Sequence, residues 1–323
     1  MTTALITGVS GQDGSYLAEL LLEKRYRVVG FTRDADRARQ GPLRAVADRI
    51  ELRTASLGDA EGLARLVAEV QPREIYNLAG QTRVSDSWSD PIGTGDASGL
   101  AVTRLLEAVR RAAPDGRFLQ ASSSEMYAPE LETPLREDSA MRPASPYGAA
   151  KLYAHHVTRQ YREAYGMHVS SAILFNHESP RRSEAFVTRK ITRAAARIAR
   201  GAQRELRLGN LDARRDWGFA GDYVRALWEM LQVERPEDLV IGTGVAHSVS
   251  DFCAAAFAAA GLNWRDHVVS DPSLFRSADT PVRLADPTRA RERLGWTPEV
   301  DFTRLIEMMV RYDMDELRLA ADS

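Results

Sequence analysis

The chain of 323 residues is 44% hydrophobic and 27% charged, with a formal net charge of −2. That is the composition of an ordinary globular protein large enough for two lobes, and it gives no electrostatic case for nucleic acid or an acidic membrane surface as partner. One cysteine, Cys253, excludes an internal disulfide, and the alanine-rich run over 254–260 is far too short to span a bilayer. Met1 leads almost directly into an apolar stretch, so a cytoplasmic protein without a signal peptide is expected.

Residues 4–7 read as a short buried strand that opens into Gly8-Val-Ser-Gly11-Gln-Asp-Gly14, and a helical apolar pattern follows over 16–22. Strand, glycine turn and helix form the context of a phosphate cradle. Glycines permit a tight turn and close backbone approach, and the helix N-terminus receives a pyrophosphate. The second strand, 27–31, leads into Thr32-Arg33-Asp34. An acid at this point suits the ribose hydroxyl of NAD and an arginine suits the phosphate of NADP. Arg33 comes first, which favours NADP, while Arg37 and Arg39 read as a solvated charged loop.

Alternation continues with strands over 50–54, 74–78, 118–121 and 169–174 and helices over 60–70 and 102–111. This pattern predicts a parallel sheet covered by helices on both faces. Asn77-Leu-Ala-Gly80 ends one strand in small residues where backbone and cofactor can meet, and Ser123 and Glu125 leave the carboxyl end of another. After Pro143 and Pro146, Tyr147-Gly-Ala-Ala-Lys151 begins a helix, with phenol and ammonium on one face. A tyrosine ionises near pH ~10, and bringing it near ~7 takes about 4 kcal/mol. The lysine, together with a positively charged cofactor ring, is expected to supply that stabilisation. A tyrosine so tuned can take a proton from an alcohol as a hydride leaves the same carbon.

Beyond residue 174 the alternation breaks. Stretches 176–182 and 209–216 read as polar irregular turns, 184–200 as a basic helix, 221–231 as a helix, 239–241 as a buried strand, and 302–317 as an amphipathic structural helix. The expected fold is α/β, a Rossmann-type doubly wound parallel sheet with a smaller, discontinuous α/β substrate-binding lobe. Residues 1–175 and 219–244 form the dinucleotide-binding domain in this reading, and 176–218 and 245–323 the other.

With the glycine turn, Ser123, Tyr147 and Lys151 in one frame, the chain resembles an extended short-chain dehydrogenase/reductase. Gly11-Gln-Asp-Gly-Ser-Tyr-Leu-Ala-Glu19, Ser-Ser-Ser-Glu-Met-Tyr127, Asn176-His-Glu-Ser-Pro-Arg-Arg182, 186–191 and 209–223 narrow the resemblance to the GDP-mannose 4,6-dehydratase family. The likeness runs through Asp286-Pro and Leu294-Gly-Trp296, and Ser56, Arg83, Ala128 and Ser277 depart from the family pattern. The resemblance implies GDP-α-D-mannose as substrate, GDP-4-keto-6-deoxymannose as product, and tightly held NADP regenerated in each turnover. It gives Ser123, Glu125, Tyr147 and Lys151 the catalytic positions. It assigns Gly8, Gly11, Gln12, Asp13, Gly14, Arg33, Leu78, Ala79, Tyr147, Lys151 and His177 to the cofactor. Ser85, Asn176, Lys190, Arg215 and Arg276, with Ser123 and Glu125, fall to the nucleotide sugar. It implies no metal and a homo-oligomer, dimer or tetramer. A nucleotide-sugar epimerase or 4-keto reductase would share Ser123, Tyr147 and Lys151, and a non-catalytic NADP-binding regulator is the reading from another class.

Overall fold

The computed structural model describes residues 1–128, 130–275 and 282–321. Its strands in chain order are β1 (Thr3–Thr7), β2 (Arg27–Thr32), β3 (Glu51–Thr54), β4 (Glu74–Asn77), β5 (Arg117–Ser123), β6 (Val169–Leu174), β7 (Asn176–Glu178), β8 (Leu206–Leu208), β9 (Arg214–Phe219), β10 (Leu239–Ile241), β11 (Ala246–Ser248), β12 (Val268–Ser270) and β13 (Val282–Arg283). Seven of them form a sheet in the order β10-β6-β5-β4-β1-β2-β3, and all its pairings are parallel.

Alternation along β1 explains why both faces are covered. Ala4 and Ile6 pack with Leu17 and Leu21 of helix Gln12–Glu23 and with Leu227 of helix Ala220–Met230. Leu5, on the opposite face, packs with Leu63 of helix Ala60–Val70, Leu105 of helix Ala101–Ala112 and Ala154 of helix Pro146–Tyr165. Successive strand side chains point to opposite faces, and a parallel sheet sandwiched this way needs apolar residues on both. The order reverses direction between β1 and β4, and a cleft opens at the carboxyl ends of the strands there.

The second lobe centres on β9, which pairs with β7, β11 and β13, while β8 pairs with β12. Helices Val187–Ala199, Val249–Ala259 and Phe302–Ala321 enclose Ile191, Trp217, Phe252, Phe257 and Met309. Segments 176–182 and 209–216, expected as irregular turns, contain β7 and the start of β9 instead. Their signal is hidden because polar side chains are buried and satisfied. The Asp216 carboxylate accepts from the Thr243, Gly244 and Ala285 amides and the Thr243 hydroxyl, and Glu178 accepts from Thr188 at 2.6 Å. The basic helix begins at Val187, and the C-terminal one runs to Ala321. Near the end of the chain, Ala290 and Trp296 pack back into the first core, where the indole donates to the Asp222 carbonyl at 2.9 Å.

Candidate active site

The phosphate turn is built by steric necessity. Gly8 sits at φ +70°, and a Cβ there would meet the Ala79 nitrogen at 2.8 Å. At Gly14 a Cβ would run into the Gly8 carbonyl and stand 2.6 Å from the Val9 Cα. The helix starts at Gln12, earlier than the apolar pattern indicated, so Gly14 lies in its first turn. Gly11, its N-cap, places no side chain over the first amides. A cradle that side chains would fill, ending on an open helix N-terminus, fits a dinucleotide pyrophosphate. Arg33 is exposed at the end of β2, whereas the Asp34 carboxylate caps helix Ala35–Gln40 by accepting from the Arg37 amide at 3.0 Å.

A buried polar ladder runs from this turn to Lys151. The Ala79 amide donates to the Thr7 hydroxyl (3.1 Å), which donates to Asn77 Oδ1 (2.7 Å). Asn77 Nδ2 donates to Gln120 Oε1 (2.7 Å). Gln120 Nε2 and Lys151 Nζ then share the Ala121 carbonyl, at 2.8 and 2.9 Å. Sheet register sets the second and third rungs, since Thr7 lies beside Asn77 and Asn77 beside Gln120. Sequence reading missed these linkers, whose signal is a polar residue recurring inside otherwise apolar strands.

Tyr147 and Lys151 rise from the first turns of a helix capped by the Ser145 hydroxyl, which accepts from the Gly148 amide at 3.1 Å. The Lys151 ammonium lies 5.9 Å from the Tyr147 ring centroid. The expected lowering of the tyrosine does not occur in the chain alone. Burial pushes Tyr147 up to about 12, opposed by a hydrogen bond with Ser123 and reinforced by the Glu125 charge. Lys151 is brought down to about 8 by burial, with Asp13 opposing. Desolvation thus sets both directions.

Opposite stands His177, whose Nδ1 bonds the Phe175 carbonyl (2.7 Å) and whose Nε2 lies 2.8 Å from Asp13 Oδ2. Burial alone would raise Asp13, but His177 holds it below the usual carboxylate range. His177 stacks on Tyr223, with centroids 4.7 Å apart. Gln12 ties this wall to the glycine turn, donating to the His177 carbonyl and accepting from Ser179.

A cleft of about 760 Å³ brings together Asp13, Leu78, Ser85, Ser123, Glu125, Tyr147, Lys151, Asn176, His177, Lys190 and Arg215. Of the other candidates, Gly8, Gly11, Gly14, Gln12 and Ala79 form the turn beside it, and Arg276 lies outside the described residues. Two lining arginines went unread in the sequence. Arg182 pairs with Glu178 at 3.0 Å, and buried Arg283 faces Glu125 at 3.4 Å. Arg182 stood in a quoted motif, whereas nothing in the pattern around Arg283 marked it.

A doubly wound sheet, a glycine turn at its switch point and a Tyr–Lys pair one helical turn apart at the same edge define the class of extended short-chain dehydrogenases/reductases. A Thermus thermophilus UDP-glucose 4-epimerase solved in complex with NAD superposes with a TM-score of 0.84 at 27% identity, over 97% of this chain and 99% of that one. More narrowly, the family model described as GDP-mannose 4,6 dehydratase matches residues 5–309, and the chain belongs to that family. GDP-mannose 4,6 dehydratase 1 of Arabidopsis thaliana is 45% identical, over 97% of this chain and 90% of its own length. The Homo sapiens GDP-mannose 4,6 dehydratase is 42% identical, over 98% and 92%.

Proposed function

We propose that this protein dehydrates GDP-α-D-mannose to GDP-4-keto-6-deoxymannose by oxidation at carbon 4, elimination across carbons 5 and 6, and return of the hydride to carbon 6. The observation that carries the reading is Glu125, which lines the same cleft as Ser123, Tyr147 and Lys151 and supplies a carboxylate that oxidation and reduction alone do not require. Its presence favours the dehydratase over an epimerase or 4-keto reductase.

NADP, held by Gly8, Gly11, Gln12, Asp13, Gly14, Leu78, Ala79, Tyr147, Lys151 and His177, supplies the hydride acceptor and donor when bound. Exposed Arg33 meets its ribose phosphate, while Asp34 is occupied as a helix cap. Tyr147 receives the carbon-4 hydroxyl proton, Ser123 orients that hydroxyl, and Lys151 fixes the geometry from the Ala121 carbonyl. The ketone at carbon 4 acidifies the proton on carbon 5. Glu125 removes that proton and, as the resulting acid, gives it to the departing carbon-6 hydroxyl, which leaves as water; as the hydride returns to carbon 6, carbon 5 takes up a solvent-exchangeable proton, which balances the one Tyr147 received. Asn176, Ser85, Lys190, Arg215 and Arg276 hold the nucleotide sugar, the arginines through paired hydrogen bonds to the diphosphate. The lobes divide at 1–175 with 219–244 and 176–218 with 245–323.

The assembly is a cytoplasmic homo-oligomer. Exposed Trp88, Ile92, Leu100 and Tyr153 on neighbouring helices offer it apolar surface. Among the described residues no helix is long and apolar enough to cross a membrane.

The test is to incubate the purified protein with GDP-mannose and follow product mass. Loss of one water without added NADPH is expected, and stoichiometric NADPH consumption would refute the reading.

A further inference from the structure

Arg283 is a costly residue to keep where it is. It is 6% exposed, and a buried guanidinium is tolerated only when its charge and donors are met. Its neighbour in register across β9 is Arg215, another cation lining the cleft, so repulsion adds to the burden. The partners of its two terminal nitrogens lie at one place. Nη1 donates to the Ser124 carbonyl, and Nη2 lies 3.4 Å from Glu125 Oε2. Arg283 therefore grips the backbone just before Glu125 and the carboxylate itself.

The rest of that turn is fixed as well. The Glu125 amide donates to the Ser123 hydroxyl at 3.2 Å. Behind it, Gly148 packs so closely that a Cβ would collide with the Glu125 carbonyl and stand 2.9 Å from the Pro143 side chain. The backbone of Glu125 is thus held from two sides and its side chain by one cation, on a strand of the second lobe. A general base must come within about 3 Å of the proton it removes, and a displacement of ~1 Å can lower a rate about 10²-fold.

We infer that Arg283 is a positioning residue for Glu125, fixing from the second lobe where the carboxylate stands over the sugar. This rests on the reading of Glu125 as the elimination base. The inference separates two halves of the reaction: oxidation at carbon 4 belongs to Tyr147 and proceeds without Arg283, whereas removal of the carbon-5 proton depends on it.

The experiment compares Arg283→Met, Arg283→Lys, Glu125→Gln and the Glu125→Gln/Arg283→Met double variant as NADP-loaded proteins with GDP-mannose in heavy water. Three readouts are taken: transient nicotinamide absorbance, deuterium at carbon 5, and dehydrated product. Arg283→Met is expected to lower dehydration and carbon-5 labelling by about 10²-fold while leaving KM and the absorbance transient within about threefold. Arg283→Lys should recover part of the loss. The double variant should be no slower than Glu125→Gln alone, since a residue acting only through a partner is non-additive with it. Dehydration within threefold of normal in Arg283→Met, equal slowing of both half-reactions, a raised KM alone, or a further loss in the double variant would each overturn the inference. If Glu125→Gln itself dehydrates normally, the base assignment falls and takes this inference with it. If Glu125→Gln is inactive and Arg283→Met is not, the positioning role alone fails.

Discussion

Replacing Lys151 by methionine should make the protein more stable and inactive at once. Lys151 is 6% exposed and brought from 10.5 to about 8. At ~1.4 kcal/mol per pH unit, keeping it charged at neutral pH destabilises the fold by about 3 kcal/mol. Methionine matches its length and carries no charge. The change also removes the hydrogen bond to the Ala121 carbonyl, worth about 1 kcal/mol. That carbonyl keeps its second donor, Gln120 Nε2 at 2.8 Å, so nothing is left unsatisfied. The net gain is about 2 kcal/mol. With ~2.1 cal/mol/K of unfolding entropy per residue over 323 residues, it raises the melting temperature by about 3 °C.

The sign of the pH dependence follows from linkage. Between about 8 and 10.5 the unfolded chain binds more protons at this site than the folded one, so the wild type gains stability as pH rises through that window. The penalty is complete below about pH 8, and the gap between variant and wild type should close toward pH 10. Other titrating groups cancel in the difference. Calorimetric melting of both proteins freed of nucleotide, at pH 7 and pH 10, makes the comparison, because a bound ligand would add its own stabilisation. A variant that melts below the wild type at pH 7, or a gap that ignores pH, would refute the view that Lys151 is held charged against burial.

Two further substitutions address binding and chemistry. Gly14→Ala drives a methyl against backbone, with the Val9 Cα at 2.6 Å and its carbonyl carbon at 2.8 Å, so the cradle must open at a cost of about 1–3 kcal/mol. Titration with NADP should then show binding weakened by about tenfold or more, and unchanged affinity would contradict the cradle. Tyr147→Phe should cut turnover by about 10²–10⁴ while GDP-mannose binding by calorimetry stays nearly constant. Unchanged turnover would mean another group receives the hydroxyl proton.

How much of this was legible in the sequence depended on whether function and packing leave the same mark. The Gly8–Gly14 turn was legible because a bend, a close approach and a helix start all demand glycine within seven residues. The parallel sheet was legible because strands covered on both faces tend to be apolar throughout, as Leu239, Val240 and Ile241 of β10, all buried, are. Strands β7 and β9 were not, since Glu178 and Asp216 are polar where a core strand is expected to be apolar, and only the folded chain supplies their donors. Arg283 was illegible for a related reason. Its partners lie 158 and 159 positions away, at Glu125 and Ser124, and no local spacing announces them.

The isolated chain tunes Tyr147 in the direction opposite to that expected once lysine and cofactor ring act together, and the difference is informative. Sequence spacing puts an ammonium beside a phenol and invites the conclusion that the cation lowers the phenol. The fold buries both, and burial drives the pair toward neutrality from opposite sides, the tyrosine to about 12 and the lysine to about 8. Ser123 and Arg182 lower the tyrosine, but Glu125 and Asp13, acids the site needs for other purposes, raise it. A phenol in this balance keeps its proton at neutral pH and is a poor base. Under the proposed function the missing positive charge would enter from outside the chain, with the oxidised nicotinamide ring of the bound cofactor. On that proposal tyrosine, lysine and cradle act as one device: the same desolvation that makes Lys151 destabilising would leave the tyrosine unready until the cradle is filled.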